Sequence, residues 1–565
     1  MSKLFEKSRS DLYKKYFLNV SELASRTAQF SLRAEKIITN SDQFKPWEIQ
    51  HAGIPMAWDS EKSNVHVDYS DNHTLVIGPT GSKKSRLVVM PLVRILCSEE
   101  ESMIISDPKA EVYNRTAKYL KDRNYEIFVL NLRAPEYGDS WNPLAIPYEF
   151  YIRGDVDKAC EFVNDIAENL IGEDKHSNDP FWGNSAGAFF FGLVLLLFKY
   201  CQDFNKGEEF VHIGNIIRLR NMLFSGMSGK TNATLWDYAK NDPIIASSLI
   251  GTVETASETR AGILSTFDQK VRMFAVQPNL LDMLGKNSID LSMIGSKPCA
   301  IYLIVPDEKT GYHGLVSLFI KQSYEYMIHS AQNNMGQNGL SVARLRNRVN
   351  YVLDEFSSLP AIRDFPAMVT AARSRNIRFT LVIQSKHQLV QRYKEEAETI
   401  QTNCNNWVFL TSRELRLLEE ISSLCGNTVG DKVQPVIPIS LLQRMDKHTG
   451  EALLLCDRAK PCITKLADIS EYDHDRFEVL EVAKRKEAKI SILVHPLLKQ
   501  EREERSPYMN IGMIEHPSLM QTRESRDFFA DFSNFMASKP PKIMEMEFDE
   551  KAEECNESSE RSVEE

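Results

Sequence analysis

Short apolar runs, most of them followed by a stretch of helical periodicity, occur in two separate parts of the chain. In residues 51–150 the runs lie at 75–77, 103–105 and 126–131, and in residues 259–475 they lie at 300–305, 351–353, 379–383 and 407–410, with a closing pair at 452–455 and 462–466. Strands that alternate with helices predict an α/β fold with a central parallel sheet. The binding site of such a sheet lies at the carboxyl ends of its strands.

The stretch between these two parts has a different pattern. Residues 151–258 show helical periodicity and few β-branched runs, and the clearest helices are predicted at 157–171 and 179–200. We therefore predict an all-α domain inserted between two halves of one sheet. Its most apolar stretch, Ala186–Phe198, is 13 residues long, whereas a membrane span needs roughly 20 residues. This length predicts a buried helix and no transmembrane segment.

Both ends of the chain are rich in charge. Residues 1–50 alternate basic and aromatic side chains and predict an N-terminal helical extension, either solvated or bound to a membrane surface or partner. Residues 476–565 predict a charged C-terminal tail, partly disordered, in which residues 545–565 alone hold ten acidic and two basic side chains. The net charge of −10 therefore comes mainly from the tail. Nucleic-acid binding through a local basic lining of the body stays open.

Composition adds two constraints. A hydrophobic content of 42% and a charged content of 26% are ordinary for a soluble globular protein. Nine scattered cysteines form no C-x-x-C pair, so the sequence predicts neither a zinc site nor a disulfide framework. A reducing cytoplasm fits this pattern.

The first strand leads into the strongest motif, Gly78-Pro-Thr-Gly-Ser-Lys-Lys-Ser85. A glycine turn between a strand and a helix presents backbone N–H groups and a helix N-terminus to a phosphate. In the Walker A pattern G-x-x-x-x-G-K-[ST], the lysine reaches the β- and γ-phosphates and the hydroxyl binds Mg²⁺. The predicted nucleotide-binding residues are Gly78, Pro79, Thr80, Gly81, Ser82, Lys83, Lys84 and Ser85, of which Lys83 replaces the second glycine of the pattern.

A second motif favours nucleotide chemistry over a turn that only caps a structural helix. The stretch Tyr351–Phe356 is an apolar strand that ends in the paired carboxylates Asp354 and Glu355. We predict that Asp354 holds the Mg²⁺ shell and that Glu355 polarises the attacking water, because phosphoryl transfer depends on positioning and electrostatic stabilisation. Together the two motifs predict a nucleotide hydrolase.

Several further pieces lie in a recognisable order. They are Asp107-Pro-Lys-Ala-Glu111, Trp141-Asn-Pro-Leu144, Asp179-Pro-Phe-Trp182, Ala372-Arg-Ser-Arg375, Ile383-Gln-Ser385 and Ala397-Glu-Thr-Ile-Gln-Thr-Asn-Cys404. With them the sequence resembles the type IV secretion coupling proteins, the VirD4/TraG family of conjugative DNA transfer ATPases, over residues 50–475.

The resemblance implies a RecA-like P-loop NTPase domain interrupted by the all-α domain. It implies a homo-hexamer that uses ATP and Mg²⁺ and delivers relaxase-bound DNA to the secretion channel. By position it implies that Lys84, Ser85, Asp354 and Glu355 carry the nucleotide chemistry, that Gln384 senses the γ-phosphate, and that Arg373 acts across a subunit boundary. A solvated helix end is the alternative for the arginines at 373, 375 and 378.

The sequence departs from the family in two places. Members usually begin with membrane-spanning helices, which are not predicted here, so we expect a cytoplasmic protein held at the inner face of the cell membrane by a separate membrane protein. Lys83 predicts slow hydrolysis, because bulk at a position that favours glycine displaces the loop. A non-hydrolysing cargo adaptor and a coupling ATPase for protein effectors remain alternatives. For DNA contact we predict the N-terminal basic helix and the loop with Arg344, Arg346 and Arg348.

Overall fold

The computed structural model describes residues 27–33, 36–38, 52–172, 180–225, 230–306, 308, 310–333, 343–428, 433–472, 478–485 and 491–493, all within one compact unit. Its largest feature is a sheet of nine strands. They are β5 (Thr74–Ile77), β6 (Ser102–Ser106), β7 (Glu126–Asn131), β10 (Cys299–Ile304), β11 (Val349–Leu353), β12 (Ile377–Ile383), β13 (Asn406–Phe409), β14 (Glu451–Cys456) and β15 (Cys462–Lys465). Each is rich in the β-branched and apolar side chains that suit a sheet covered on both faces.

The strand order decides where the functional motifs meet. Across the sheet the order is β15-β14-β13-β5-β12-β11-β6-β10-β7. The seven strands from β13 to β7 are parallel, whereas β14 is antiparallel to both of its neighbours, β13 and β15. The predicted α/β fold with a mostly parallel sheet is thus confirmed, and β12 lies between the strands that carry the two nucleotide motifs.

Eight helices begin between β7 and β10 in the described part of the chain. They are α3 (Ala145–Ile152), α4 (Val156–Leu170), α5 (Phe181–Asp203), α6 (Ile213–Leu223), α7 (Ala233–Ala239), α8 (Pro243–Val253), α9 (Ser257–Val276) and α10 (Pro278–Met283). Two short strands, β8 (Phe224–Ser225) and β9 (Lys230–Thr231), pair antiparallel between α6 and α7. The inserted all-α part therefore extends beyond the predicted limits of 151 and 258. Helix α9 continues past the later limit because apolar side chains at 263, 264, 267, 271 and 274 are buried at helical spacing.

Helix α5 is the core of this insertion. By length and composition Phe181–Asp203 is apolar enough to cross a membrane, but 67% of its most apolar window is buried within the protein. It packs against α4, α6, α8 and α9. The predicted buried helix is therefore confirmed.

The remaining helices flank the sheet. They are α1 (Met90–Cys97), α2 (Glu111–Lys121), α11 (His313–Asn333), α12 (Phe365–Ala372), α13 (Lys386–Tyr393), α14 (Glu396–Asn403), α15 (Leu415–Leu424) and α16 (Ile439–Leu442). A π-helical turn, Ser85–Val89, joins the glycine loop to α1. Pro91 lies in the first turn of α1, where its missing N–H has no intrahelical carbonyl to bind.

The N-terminal region contains strands where a helix is predicted. Strands β1 (Ala28–Ser31) and β2 (Lys36–Ile38) join β3 (Ile54–Asp59) and β4 (Asn64–Asp68) in a four-stranded antiparallel sheet. The helical prediction is wrong here because Phe30 is buried against the Tyr472 ring, at 6.0 Å between centroids, and this tertiary contact outweighs local propensity. Residues 1–26 and 39–51 lie outside the described residues.

The predicted C-terminal tail also lies mostly outside the described residues. Two short pieces of it are described, 478–485 and 491–493. Arg485 pairs with Asp282 at 3.2 Å, and Leu493 is buried. These pieces contact the inserted helical part.

Candidate functional site

The carboxyl ends of β5, β12 and β11 place the predicted site residues side by side. The loop 78–85 follows β5, Gln384 follows β12, and Asp354 and Glu355 follow β11. Hydrogen bonds join the three segments, because Gly78 N–H donates to the carbonyl of Ile383 at 3.2 Å and the side chains described below connect the rest. The sheet order therefore brings together residues that are almost 300 positions apart in the sequence.

The glycine loop forms a tight turn around the Lys84 side chain. Lys84 Nζ donates to the carbonyl oxygens of Gly78 at 2.7 Å and Pro79 at 3.3 Å. Gly81 has a φ of +79° and Lys83 a φ of +66°. Lys83 thus adopts the left-handed conformation that a glycine would take without strain. The loop keeps its shape at an energetic cost on the order of 1–3 kcal/mol.

Two features show that this loop fits an anionic group. Burial lowers the pKa of Lys84, opposed by the nearby carboxylates of Glu355 and Asp354. The hydroxyl of Ser82 is buried and has no hydrogen-bond partner among the residues that the structure describes. A buried ammonium and an unpaired donor are both stabilised by phosphate oxygens, so the loop has the donors that a nucleotide requires.

Ser85 and Asp354 form the direct contact between the two motifs. Ser85 Oγ donates to Asp354 Oδ2 at 2.8 Å, and Ser106 Oγ donates to the Asp354 carbonyl at 2.6 Å. Burial raises the pKa of Asp354 to about 6, although the Ser85 hydrogen bond opposes this shift. A hydroxyl and one carboxylate match the few protein ligands that Mg²⁺ takes beside phosphates.

Glu355 and Gln384 form a second contact at the same edge. Gln384 Nε2 donates to Glu355 Oε2 at 2.6 Å, and Thr80 Oγ1 donates to Gln384 Oε1 at 3.0 Å. Glu355 has a φ of +55°, an uncommon conformation for a residue with a side chain and one that is frequent at functional sites. The Thr80–Gln384–Glu355 chain thus links the glycine loop to the carboxylate predicted to orient water.

Arg373 lies at the other end of the sheet from these residues. It is exposed just before β12, whereas Gln384 follows that strand. The seven residues of β12 span about 23 Å at 3.3 Å per residue. Arg373 therefore takes no part in the site of its own chain. Its predicted action on a neighbouring subunit stays a prediction.

Asp107 lies at the carboxyl end of β6, next to the strand that carries Asp354 and Glu355, and the sequence assigns it no role. It follows β6, the neighbour of β11, and its Oδ2 accepts from the N–H of Tyr113 at 2.7 Å. Burial raises its pKa to about 7, with the Tyr113 and Val112 N–H groups opposing. The one sign of Asp107 in the sequence is its position after an apolar run, in the stretch 107–111. This sign is weak, because an isolated aspartate at a strand end is common.

The amino ends of the strands hold a separate buried polar network. Arg378 pairs with Glu101 at 3.1 Å and donates to Asn350 Oδ1 at 2.8 Å. Arg348 pairs with Asp71 at 2.7 Å and also reaches Glu101 at 3.6 Å. The alternative of a solvated helix end is therefore wrong for Arg378, and the predicted DNA contact is wrong for Arg348. Both guanidinium groups are buried because they neutralise a fully buried carboxylate.

The other members of those arginine groups differ in exposure. Arg346 is exposed, and Arg344 is half-buried and donates to Asn376 Oδ1 at 3.2 Å. The predicted basic helix before residue 27 lies outside the described residues. Within the part of the chain described here, no cluster of three or more His, Cys, Asp or Glu side chains could hold a metal ion.

Comparison with known proteins agrees with this arrangement. The family described as Type IV secretory system Conjugative DNA transfer matches residues 22–440. Two conjugal transfer proteins TraG from Escherichia coli are each 21% identical over 369 residues, which are 64% of this chain and 56% of each relative. The chain thus aligns with little more than half the length of these relatives.

Solved structures share the fold. The unbound bacterial conjugative coupling protein TrwBΔN70 aligns with a TM-score of 0.53 and 14% identity, over 76% of this chain and 90% of its own. The plasmid coupling protein TrwB in complex with ADP and Mg²⁺ aligns with a TM-score of 0.54 and 14% identity, over 84% and 96%. At this identity the likeness establishes the RecA-like P-loop fold with its all-α insertion. Because the family match covers most of its length, this chain belongs to the type IV secretory conjugative DNA transfer family of coupling proteins.

Proposed function

We propose that the protein is a DNA-stimulated ATPase that delivers relaxase-bound DNA to a conjugative type IV secretion channel. The observation that carries this proposal is the contact between Ser85 and Asp354 at 2.8 Å, beside a buried lysine in a phosphate-binding loop. A structural helix cap needs none of these groups. TrwB, a coupling protein of the same fold, has been solved in complex with ADP and Mg²⁺. This complex agrees with a nucleotide and Mg²⁺ as the ligands proposed for this site.

Each site residue then has a definite task. The backbone N–H groups of residues 78–85 and the ammonium of Lys84 hold the phosphates, and Ser85 and Asp354 hold Mg²⁺, which when bound neutralises charge on the phosphate oxygens. Lys84 gives up its bonds to the carbonyls of Gly78 and Pro79 for stronger bonds to phosphate oxygens.

Glu355 and Gln384 form the part of the site that controls water. The Glu355 carboxylate accepts from Gln384 and has a second oxygen with which to orient a water molecule. Thr80 holds the Gln384 amide oxygen from the loop side. A shift of Gln384 toward a γ-phosphate would therefore alter the position of Glu355 directly.

In a homo-hexamer, a neighbouring subunit can add a further residue to the nucleotide site. An arginine that stabilises charge in phosphoryl transfer can come from a neighbouring subunit, and the exposed Arg373 is the residue we assign to this task in a homo-hexamer. We further propose that the all-α part recognises cargo, and that channel components and a separate membrane protein hold the ring peripherally at the cytoplasmic face of the membrane. Protein effectors are the alternative cargo.

The decisive experiment measures ATP turnover and nucleotide affinity of the purified chain with and without single-stranded and double-stranded DNA. Glu355→Gln should cut turnover roughly a hundredfold or more while nucleotide affinity stays within about twofold, because the charge that orients water is lost and the phosphate contacts remain. Glu420→Gln is the matched control, since Glu420 pairs with Lys386 near the same edge at 2.5 Å and lies outside the proposed site. Equal loss of affinity in Glu355→Gln and Lys84→Ala would contradict these roles.

A non-hydrolysing adaptor is the second candidate function. The left-handed conformation of Lys83, with a φ of +66°, favours it, because strain at this position can displace the loop from catalytic geometry. Nucleotide binding without turnover in the wild type, combined with binding of relaxase and DNA, would establish the adaptor. Turnover that DNA stimulates would establish the ATPase.

A further inference from the structure

Two basic side chains of the phosphate loop and its first helical turn converge on one acidic residue from the far end of the sheet. Asp468 Oδ2 lies 3.8 Å from Lys83 Nζ and accepts from Arg86 Nε at 3.0 Å. Asp468 follows β15, whereas Lys83 and Arg86 follow β5. Only the tertiary structure brings Asp468 to Lys83 and Arg86.

Asp468 is itself held in a defined position. Its neighbours Ala467 and Ile469 are buried in the core, and its Oδ1 accepts from the N–H of Ser470 at 3.1 Å, which caps a short 3₁₀ turn. Although burial opposes the shift, the hydrogen bond from Arg86 lowers the pKa of Asp468. The carboxylate is therefore a fixed negative charge beside the loop.

The loop has a specific need for such a charge. Lys83 occupies a position with a φ of +66° and directly precedes Lys84 in the sequence. Without a partner, the Lys83 side chain would be able to fold over the phosphate cradle and compete with the loop for the phosphate. In this structure the Lys83 side chain is directed to the flank of the loop, toward Asp468.

We propose that Asp468 is a positioning residue for the phosphate loop: it holds the Lys83 side chain beside the cradle, while Arg86 holds the Asp468 carboxylate in place. The ligand it serves, a nucleotide diphosphate or triphosphate, rests on the proposed function. The pair formed by Lys83 and Asp468 explains how the chain keeps a phosphate-binding turn with lysine in the place of glycine. A glycine at position 83 would not require the carboxylate.

The test is a double-mutant cycle on the full chain with Lys83→Gly, Asp468→Asn and the double variant. Asparagine keeps the cap on Ser470, so the substitution removes the charge and preserves the turn. With ADP and Mg²⁺ as the probe, Asp468→Asn should weaken binding about fivefold in the wild-type background and less than about twofold in the Lys83→Gly background, which is the coupling expected of contacting residues. Asp468→Glu should restore most of the affinity.

The control is Asp457→Asn, because Asp457 lies in the turn before β15 and, among the described residues, forms an ion pair only with the adjacent Arg458, at 4.0 Å. Equal loss in both backgrounds, or no loss in the wild type, would overturn the proposal. If the wild type binds no ADP, the proposed function fails. Thermal unfolding of the wild type, the two single variants and the double variant, all without nucleotide, then tests the Lys83–Asp468 contact by itself. Non-additive shifts of Tm then support the Lys83–Asp468 contact, and additive shifts refute it.

Discussion

Buried basic side chains lie at both ends of the strands of the nine-stranded sheet, but they differ in how many hydrogen bonds they form within the protein. We call the amino ends of the strands the amino edge and their carboxyl ends the carboxyl edge. At the amino edge Arg378 is bound by Glu101, by Asn350 and by backbone carbonyls at distances of 2.8–3.3 Å. At the carboxyl edge, within the described part of the chain, the Lys84 ammonium donates hydrogen bonds only to carbonyls of its own loop. Burial lowers the pKa of Arg378 to about 10, which leaves it charged at neutral pH.

A histidine at the amino edge likewise has all of its hydrogen-bonding groups occupied within the protein. His73 is fully buried, its Nδ1 accepts from the N–H of Phe379 at 3.0 Å, and its Nε2 is then the donor to the Val369 carbonyl at 2.8 Å. Burial lowers its pKa to about 4, so it stays neutral. Both ring nitrogens are occupied, and no capacity to bind a ligand is left.

The comparison shows how one fold separates stability from function. Polar groups at the amino edge bind one another and stabilise the fold, whereas those at the carboxyl edge keep binding capacity for a ligand at some cost in stability. Substitutions at the two edges should therefore have opposite effects on the free energy of unfolding.

The largest effect is expected at the amino edge. Arg378→Met should lower the free energy of unfolding by about 3–5 kcal/mol, because it leaves the buried Glu101 carboxylate without its closest cation. Chemical denaturation measures this change. Arg373→Ala, in the turn that leads into β12, is the control, and because Arg373 is exposed it should change stability by less than about 0.5 kcal/mol. A small effect of Arg378→Met would contradict the assignment of this edge to stability.

The next effect concerns turnover at the carboxyl edge. Lys84→Met should reduce ATP turnover by about 10²–10³-fold, the usual loss when one donor to a developing charge is removed. The same substitution should raise the free energy of unfolding by about 1 kcal/mol, because a partly buried ammonium is replaced by an apolar side chain of similar length. Lys83→Met serves as the control and should lose less than about tenfold in turnover. A lower free energy of unfolding in Lys84→Met would contradict the proposed difference between the two edges.

A smaller effect depends on pH. Burial raises the pKa of Asp107 to about 7 from 3.8, so the folded state binds its proton more tightly than the unfolded state. The stability that this group contributes is then complete below pH 4 and is lost as the pH rises through 7. Asp107→Asn should therefore stabilise the nucleotide-free protein by about 1–2 kcal/mol at pH 8 and less at pH 5. Urea denaturation at both values checks this, with the exposed Asp122→Asn as control.

The smallest effect is expected at Lys83. Lys83→Gly relieves a φ of +66° and should raise the free energy of unfolding by about 0.5 kcal/mol, the relief of strain being partly offset by the lost ion pair with Asp468. Turnover should rise as well, as the Walker pattern predicts. Lys83→Ala keeps the strain and should give neither gain. Unchanged or lower turnover in Lys83→Gly would mean that the native loop accommodates lysine fully.

Much of the architecture was predictable from local pattern. The runs at 75–77, 351–353 and 379–383 are buried strands. A glycine turn or a carboxylate pair at a strand end is common by itself, but the two together indicate a nucleotide site. By contrast, the strands at 28–31 and 36–38 were predicted to be helical. They exist because an antiparallel neighbour and a buried ring support them, and neither is visible in a window of sequence.

The sequence alone therefore determined the fold class, the phosphate loop, the carboxylate pair and the buried character of helix α5. Each of these follows from the order and spacing of residues close together in the chain. Only the tertiary structure separated Arg373 from Arg378, assigned Arg348 to the core, and brought Asp468 to Lys83 across 385 positions. These contacts depend on strand order, and strand order is set by the packing of the whole sheet, so a local pattern carries no information about them.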